Sequence, residues 1–299
     1  MTDDNVHNIS DAKAGRKPKP PKPASGAGSV IKYTDAWLAE WFAKTRRHEY
    51  RWIPERGAKG LITWSGTHWV NQADDGPARW AAQQMIKGWE TAEGDDEAYA
   101  CKARALSRRG LSDLVAVARD RDDMKVSQDM LDANPYELNT PDGIINLKTG
   151  VLLPHLGGKS VEHWCTKVTA VGVDFEAPCP LWEKFLADTF AGTPELIDYM
   201  QQLFGYAAIG EVTLHILPFL FGIGANGKTV MLEVVRRVLG GYATVTTGKF
   251  LVAGRNNEHS AEMVKLIGAR VVICSEVNED SKFDEDKVKR LTGGEGLDA

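Results

Sequence analysis

Residues 222–229 read Gly222-Ile223-Gly224-Ala225-Asn226-Gly227-Lys228-Thr229, which follows the pattern G-x-x-x-x-G-K-T. This pattern is typical of the phosphate-binding loop of nucleoside triphosphatases. Its glycines let backbone N–H groups converge on phosphate oxygens, and the helix that follows adds a favourable dipole. We therefore expect Lys228 to reach the β- and γ-phosphates and the Thr229 hydroxyl to bind Mg²⁺. The predicted cofactors are ATP and Mg²⁺, and the predicted nucleotide-binding residues are Gly222, Gly224, Ala225, Asn226, Gly227, Lys228 and Thr229.

The segments on both sides of this loop fit the strand–loop–helix context that the motif requires. The apolar residues 216–221 predict a buried strand, whose paired part begins near Phe219 because Pro218 has no N–H to donate. Apolar residues then recur at helical spacing over residues 230–239, and Gly240-Gly241 predicts the end of that helix. An ordinary glycine-rich turn between a strand and a helix is the alternative interpretation.

A phosphate loop needs an acidic partner that holds Mg²⁺ and orients the attacking water. Residues 270–276 form an apolar, β-rich run that ends in a carboxylate, Glu276. We expect Glu276 to serve both the metal and catalysis together with Lys228, and Glu279 is the next acidic candidate. The alternative is a buried strand followed by a solvated acidic turn.

Residues 283–295 have an acidic start, a basic end and then a Gly-Gly pair, a pattern that predicts a short helix leading into a loop. Lys287, Lys289 and Arg290 are candidates for contacts with the phosphates of DNA. The alternative is a helix C-terminus whose cations match the helix dipole, and spacing alone does not separate the two.

Composition excludes several other classes of protein. The net charge of −5 argues against coating nucleic acid by bulk charge, although a local basic channel stays open. The four cysteines are scattered without a C-x-x-C pair, which favours reduced thiols over a zinc site or a disulfide framework. No apolar run is long enough to span a bilayer and no signal core is present, so we expect a cytoplasmic protein.

The fold class predicted is α/β, in which a mixed α+β N-terminal region precedes a partial P-loop NTPase core. Four segments are predicted: a disordered basic, proline-rich tail over residues 1–29, the α+β region over 30–178, a helical collar-like segment over 179–212 and the P-loop core over 213–299.

Several elements of the first 212 residues are predicted from their pattern. Thr34 is a plausible N-cap for a helix with Trp37, Leu38, Trp41 and Phe42 on one face. Residues 61–70 predict a hairpin around Ser65-Gly66, residues 77–125 predict helices, and residues 131–153 predict short strands. Residues 180–208 predict two helices, the second with Pro194 at its first position.

Aromatic and basic residues in this region have two interpretations. Trp52, Trp64 and Trp69 can stack on bases or form the hairpin core, and aromatic residues in a small hairpin favour the core. A basic patch at Lys102, Arg104, Arg108 and Arg109 favours a solvated helix face over a nucleic-acid surface.

These motifs together resemble the phage and plasmid primase–helicase family, which includes the poxvirus primase–helicase, and whose helicase part belongs to superfamily III. The resemblance covers most of the chain after Ile31. It rests on residues 33–35, 64–69, 141–150, 175–180, 203–206, 222–229, 275–276 and 289–294.

The resemblance implies an AAA+-like, ATP-driven hexameric helicase that works on single-stranded or forked DNA in a phage-infected or prophage-carrying bacterium. On this interpretation ATP lies between subunits, and Lys289-Arg290 lie towards the loop that handles DNA. The family usually has Asp where Glu295 stands, and its later sensor Asn and arginine finger correspond to positions beyond Ala299. We therefore expect a truncated chain that makes no primers, hydrolyses ATP poorly and unwinds little duplex alone.

Three functional hypotheses stay open at this point. The first is an ATP-binding replicative helicase, and the second is a non-catalytic nucleotide- and DNA-binding assembly module. The third is an unrelated phosphate-loop enzyme such as a small-molecule kinase, which is disfavoured because no arginine-bearing lid follows the core. DNA-stimulated ATP hydrolysis distinguishes the first hypothesis from the second.

Overall fold

A computed structural model describes residues 31–155, 159–222, 224, 226–253, 266–274 and 282–293. The predicted tail over residues 1–29 lies outside the described residues. The described chain is a mixture of helices and small sheets, which agrees with the predicted α/β class at this level. It forms two units, one with residues up to Ala133 and His155–Thr166, the other with Asn134–Pro154 and the residues from Lys167 onwards. The division at residue 178 stays a prediction.

The described part of unit 1 contains four α-helices, and its predicted helical segments are confirmed. The helices are α1 (Asp35–Arg46), α2 (Gly76–Lys87), α3 (Asp96–Ala105) and α4 (Arg108–Arg119). The hydroxyl of Thr34 accepts the N–H of Trp37 at 3.2 Å, so the predicted N-cap of α1 is confirmed. Ser107 caps α4 in the same manner, because its hydroxyl accepts the N–H of Gly110 at 3.0 Å.

A three-stranded antiparallel sheet lies between two apolar clusters of unit 1. Its strands are β1 (Tyr50–Trp52), β2 (Leu61–Trp64) and β3 (Trp69–Asn71), paired in the order β1-β2-β3. Trp52 and Leu61 face the helices, while Ile62 and Trp69 pack on the other side with Val126 and Val161. The predicted hairpin is confirmed, and Trp52 and Trp69 are core residues with 1% of their surface exposed. Neither ring is available for stacking on a base.

Tyr33 links the start of α1 to the start of α3. Its hydroxyl donates to the carboxylate of Asp95, which also accepts the N–H of Ala98 at 3.0 Å as the N-cap of α3. This hydrogen bond raises the pKa of Tyr33 to about 12 and lowers the pKa of Asp95 below its ordinary value. The contact thus favours the neutral phenol and the ionised carboxylate, the two forms present at neutral pH.

We expect Tyr33→Phe to remove a pH-dependent part of the free energy of unfolding. Because the pKa of Tyr33 is raised, its contribution is complete below pH 10.0 and is lost as the pH rises through about 12. Because the pKa of Asp95 is lowered, its contribution is present above the ordinary carboxyl range and is lost as the pH falls. Denaturation midpoints across pH should show both losses in the wild type and weaker ones in Tyr33→Phe. Tyr99→Phe, on the exposed side of α3, is the control and should match the wild type.

Unit 2 begins with a second antiparallel sheet and continues with helices. Its elements are β4 (Glu137–Thr140), β5 (Gly143–Asn146), β6 (Leu152–Pro154), α5 (Pro180–Thr189), α6 (Pro194–Ala207), α7 (Lys228–Leu239), β7 (Ala243–Thr246), β8 (Val271–Cys274) and α8 (Glu285–Gly293). Strands β4, β5 and β6 pair in sequence order, and β7 pairs with β8 in parallel. The short strands predicted over residues 131–153, the helices over 180–208 and Pro194 at the first turn of α6 are confirmed.

Residues 168–170 join the β4–β6 sheet to the end of α7. The N–H of Thr169 donates to the Asn139 carbonyl at 2.9 Å, and the N–H of Ala170 donates to the Val238 carbonyl at 3.1 Å. Helix α7 ends as predicted at Gly240, which has a φ of 54° and approaches Ala170 so closely that a Cβ there would lie 2.6 Å from its nitrogen. Glycine is therefore required at this turn for both its conformation and its size.

The strand predicted over residues 216–221 is wrong in this structure. These residues form no regular element, and Phe219 and Phe221 are 62% and 92% exposed. A strand needs hydrogen-bonding neighbours, whereas β7 and β8 pair only with each other among the described residues. Pro218 removes one further donor, and only Leu220 of this segment packs against the apolar cluster of α5, α6 and α7.

Candidate nucleotide-binding site

The glycine-rich loop leads directly into helix α7. Gly227 is the N-cap of the helix with a φ of 83°, and α7 begins at Lys228, as the motif predicts. The first N–H groups of a helix have no partner within the helix, so they are available to an anion in front of it. Gly222 and Gly224 are exposed, and Asn226 is half-buried beside them; Ile223 and Ala225 lie outside the described residues.

The ammonium group of Lys228 lies inside the loop. Its Nζ donates to the carbonyl of Gly222 at 3.1 Å and to Oδ1 of Asn226 at 2.7 Å. Both acceptors are neutral, and within the described residues no carboxylate forms an ion pair with Lys228. A triphosphate would replace these neutral acceptors with anionic oxygens, which the ammonium group binds more strongly.

The surroundings of the loop decide which other groups can take part. Thr229 is exposed at the first turn of α7, so its hydroxyl is accessible to a metal ion. Glu233, one turn further along, accepts both Nε and Nη2 of Arg236 at 2.7 and 2.8 Å and Nε of Arg237 at 2.7 Å. These hydrogen bonds lower the pKa of Glu233 to about 2. A carboxylate held ionised in this way is a poor general base, so Glu233 does not replace the predicted acidic partner.

Helix α5 lies against the loop, a neighbour that sequence reasoning missed. A Cβ added to Gly227 would lie 2.9 Å from Oγ1 of Thr189 and 3.1 Å from Cε2 and Cζ of Phe185. Phe185 lies on the apolar face of α5, which packs on the cluster that contains Leu186 and Met231. No signal in the sequence connected that face with the glycine-rich loop.

The acidic residues predicted for the site lie outside the described residues. Strand β8 confirms a strand within residues 270–276, and its register pairs Ala243 with Val271 and Thr246 with Cys274. Glu276 and Glu279 follow this strand but lie outside the described residues, so their roles stay predictions. The described residues contain no group of three or more metal-binding side chains.

The three residues predicted to contact DNA differ in their surroundings. The side chain of Lys287 is buried, with 6% of its surface exposed, and its Nζ donates to the Phe250 carbonyl at 3.0 Å. This burial contradicts a phosphate contact by Lys287, because its ammonium group is hydrogen-bonded in the interior of unit 2. Lys289 is exposed and lies 3.7 Å from a carboxylate oxygen of Glu285, and Arg290 is exposed on the same helix. These two cations stay candidates.

Comparison with known proteins assigns the family. Residues 37–191, just over half of the chain, match the family model described as D5 N terminal like, and the chain belongs to this family. The matched domain is the N-terminal region of phage and poxvirus D5-type primase–helicase proteins. The protein is therefore a D5-like member of the primase–helicase family, as the sequence resemblance indicates. A comparison with curated proteins gave no match.

The matched region extends from α1 to the turn after α5. It thus includes the described secondary structure of unit 1 except the first two residues of α1, together with the helix that packs on Gly227, and it ends before the glycine-rich loop. Among the helices described here, none has both the length and the apolar character needed to cross a membrane.

Proposed function

We propose that the protein binds ATP–Mg²⁺ at residues 222–229 and uses its hydrolysis to unwind DNA as a replicative helicase of the primase–helicase family. The observation that carries this proposal is the position of Lys228. Its ammonium lies at the first residue of α7, where unpartnered N–H groups and the helix dipole favour an anion, and its acceptors are neutral. Among the described residues no carboxylate pairs with this cation, and an ammonium group in front of a helix suits a triphosphate.

Each residue of the loop has a distinct role in this proposal. Gly222, Gly224, Ala225, Asn226 and Gly227 bring backbone N–H groups to the phosphates, and Lys228 binds the β- and γ-oxygens. The Thr229 hydroxyl and Glu276 hold Mg²⁺, and Glu276 orients the attacking water. The charge that develops on the transferred phosphoryl group is then met by Lys228 and the metal ion.

DNA and further copies of the chain are the partners proposed. Lys289 and Arg290 on α8 are the exposed cations that would contact the phosphates of single-stranded or forked DNA. Assembly into a ring, a hexamer by analogy with the family, would place these cations along a central channel. This part of the proposal rests on family membership and on charge.

The proposal is tested by replacing Lys228 and measuring both binding and turnover. Titration of a fluorescent ATP analogue should show an affinity at least several-fold lower for Lys228→Ala, because the charged donor of the loop is lost. Lys249→Ala, which removes an exposed lysine of the same unit, should bind like the wild type. Equal affinities of Lys228→Ala and the wild type would contradict the assignment.

Hydrolysis by the same proteins should be measured with and without single-stranded DNA. Stimulation by DNA that depends on Lys228 supports a helicase. Lys228-dependent binding without any turnover would instead favour the nucleotide- and DNA-binding assembly module.

A further inference from the structure

Helix α5 contacts the glycine-rich loop through two side chains that lie one turn apart. Phe185 and Thr189 lie four positions apart in the sequence, so they share one face of the helix. That face lies against Gly227, since a Cβ at this glycine would be 3.1 Å from the Phe185 ring and 2.9 Å from the Thr189 hydroxyl. The Phe185 ring and the Thr189 hydroxyl therefore pack directly against Gly227, the last glycine of the loop.

Packing within unit 2 holds these two side chains in position. Trp182 stacks on Phe185 with ring centroids 5.5 Å apart and an angle of 26° between the planes. Leu186, the next residue along α5, is buried with Met200 of α6 and Met231 of α7. Because the rings and the apolar cluster fix the position of α5, Phe185 has little freedom to move away from Gly227.

Gly227 needs such support because its backbone is in the left-handed region. Its φ of 83° turns the chain from the loop into α7 and directs the N–H groups that follow. A glycine can leave this conformation at little cost, so the loop holds its shape only if its neighbours prevent other conformations. A binding site gains affinity when such an arrangement is fixed before the ligand arrives.

We infer that Phe185 and Thr189 of helix α5 are positioning residues of the nucleotide site, which act on the triphosphate through Gly227. The inference rests on the proposed function, because it assumes that residues 222–229 bind the phosphates. It extends the site into the region matched by the family model, since α5 belongs to that region and the loop does not. Neither side chain contacts the nucleotide itself in this arrangement.

The test compares Phe185→Ala with Phe190→Ala. Phe190 is the matched control, because it is a phenylalanine at the end of the same helix that packs on the same apolar cluster. We expect Phe185→Ala to lower the affinity for ATP about tenfold, which corresponds to about 1.4 kcal/mol. Both variants should lower the thermal midpoint of unfolding by similar amounts. Phe190→Ala should leave the affinity for ATP unchanged. Equal losses of affinity in the two variants would overturn the inference.

A second readout separates a positioning role from general loss of structure. Inorganic tripolyphosphate should compete with the fluorescent analogue about tenfold less well in Phe185→Ala than in the wild type, because the phosphates are what the loop positions. Phe185→Leu keeps an apolar side chain next to Gly227, so it should recover most of the affinity for ATP that Phe185→Ala loses.

Thr189 provides a variant that should fold even if Phe185→Ala does not. Thr189 is half-buried at the end of α5, outside the apolar cluster, so its substitution leaves the packing of α5, α6 and α7 in place. Thr189→Ala should weaken ATP binding about threefold, a small effect in keeping with one lost contact, and Thr189→Val should retain wild-type affinity. If Thr189→Ala binds ATP like the wild type, the inference is wrong.

The outcome with Lys228→Ala shows which statement has failed. If Lys228→Ala weakens ATP binding and the α5 variants do not, the nucleotide site stands and the role of α5 is overturned. If Lys228→Ala binds ATP like the wild type, the proposed function fails and the inference fails with it.

Discussion

Substitution of Gly227 by alanine is expected to lower the affinity for ATP about a hundredfold. The φ of 83° at this residue costs an alanine about 1–2 kcal/mol. The new Cβ would also lie 2.9–3.1 Å from Thr189 and Phe185, and overpacking of this kind costs about 1–3 kcal/mol. Because both costs are relieved only when the loop moves away from its binding geometry, they appear as lost affinity. Together they amount to about 3 kcal/mol, or roughly a hundredfold.

Gly205→Ala is the control for this prediction. Gly205 lies in helix α6 of the same unit, outside the glycine-rich loop, and a Cβ placed there has no neighbour within 4 Å. The alanine therefore introduces no clash, and the affinity should stay within about threefold of the wild type. Titration of the fluorescent ATP analogue against the three proteins checks both values. Similar affinities of Gly227→Ala and the wild type would show that the loop does not need the conformation seen here.

Local patterns predicted the helices and the hairpin of unit 1 because their information lies within a few residues. The N-cap Thr34, the apolar spacing from Trp37 to Phe42 and the turn at Ser65-Gly66 each act over less than two helical turns of sequence. The same holds for the start of α7, where Gly227 and Lys228 follow the motif. In these places the energetic preference of the local segment agrees with the final fold.

The strand over residues 216–221 failed because its formation depends on distant partners. An apolar run is compatible with a buried strand, but the hydrogen bonds that stabilise one must come from a neighbouring strand. In this structure β7 pairs with β8 and not with residues 216–221. Periodicity within the run carries no information about this choice, so the sequence could not exclude it.

Side-chain roles that depend on tertiary contacts were also beyond the reach of the sequence. Lys287 lies in a basic run typical of a solvated helix end, yet its ammonium is 5.0 Å from the centroid of the Phe250 ring and binds the carbonyl of that residue. Phe185 fits the apolar face of α5 equally well whether or not it touches Gly227. Both assignments need the three-dimensional neighbour, which neither charge nor spacing specifies.

Arg270 makes the contacts that join three elements of unit 2. Its guanidinium donates to the carbonyls of Glu137 in β4 and Ala208 at the end of α6, and it lies over the Tyr242 ring at 4.5 Å. Its backbone N–H also donates to the Tyr242 carbonyl at 2.7 Å. A cation at Ala208 suits the negative end of the α6 dipole, so charge and geometry favour the same position.

We expect Arg270→Met to lower the free energy of unfolding by about 3 kcal/mol. The methionine fills much of the space but leaves two carbonyls without their charged donor, and each such hydrogen bond contributes about 1.5–3 kcal/mol. Because water partly replaces the lost donor, we expect the total near the lower end of the summed range of about 3–6 kcal/mol. Chemical denaturation of the two proteins measures the difference.

Two further variants show whether this loss comes from the shape of the guanidinium. Arg270→Lys keeps the charge but not the planar fork, so it should recover less than half of the lost stability, since one ammonium cannot reach both carbonyls with good geometry. Arg237→Ala is the control, because Arg237 is largely exposed and Glu233 is its only ion-pair partner among the described residues; it should cost less than about 0.5 kcal/mol. A loss below about 1 kcal/mol in Arg270→Met, or full recovery in Arg270→Lys, would mean that β4, α6 and β8 are held together by apolar packing and not by this side chain.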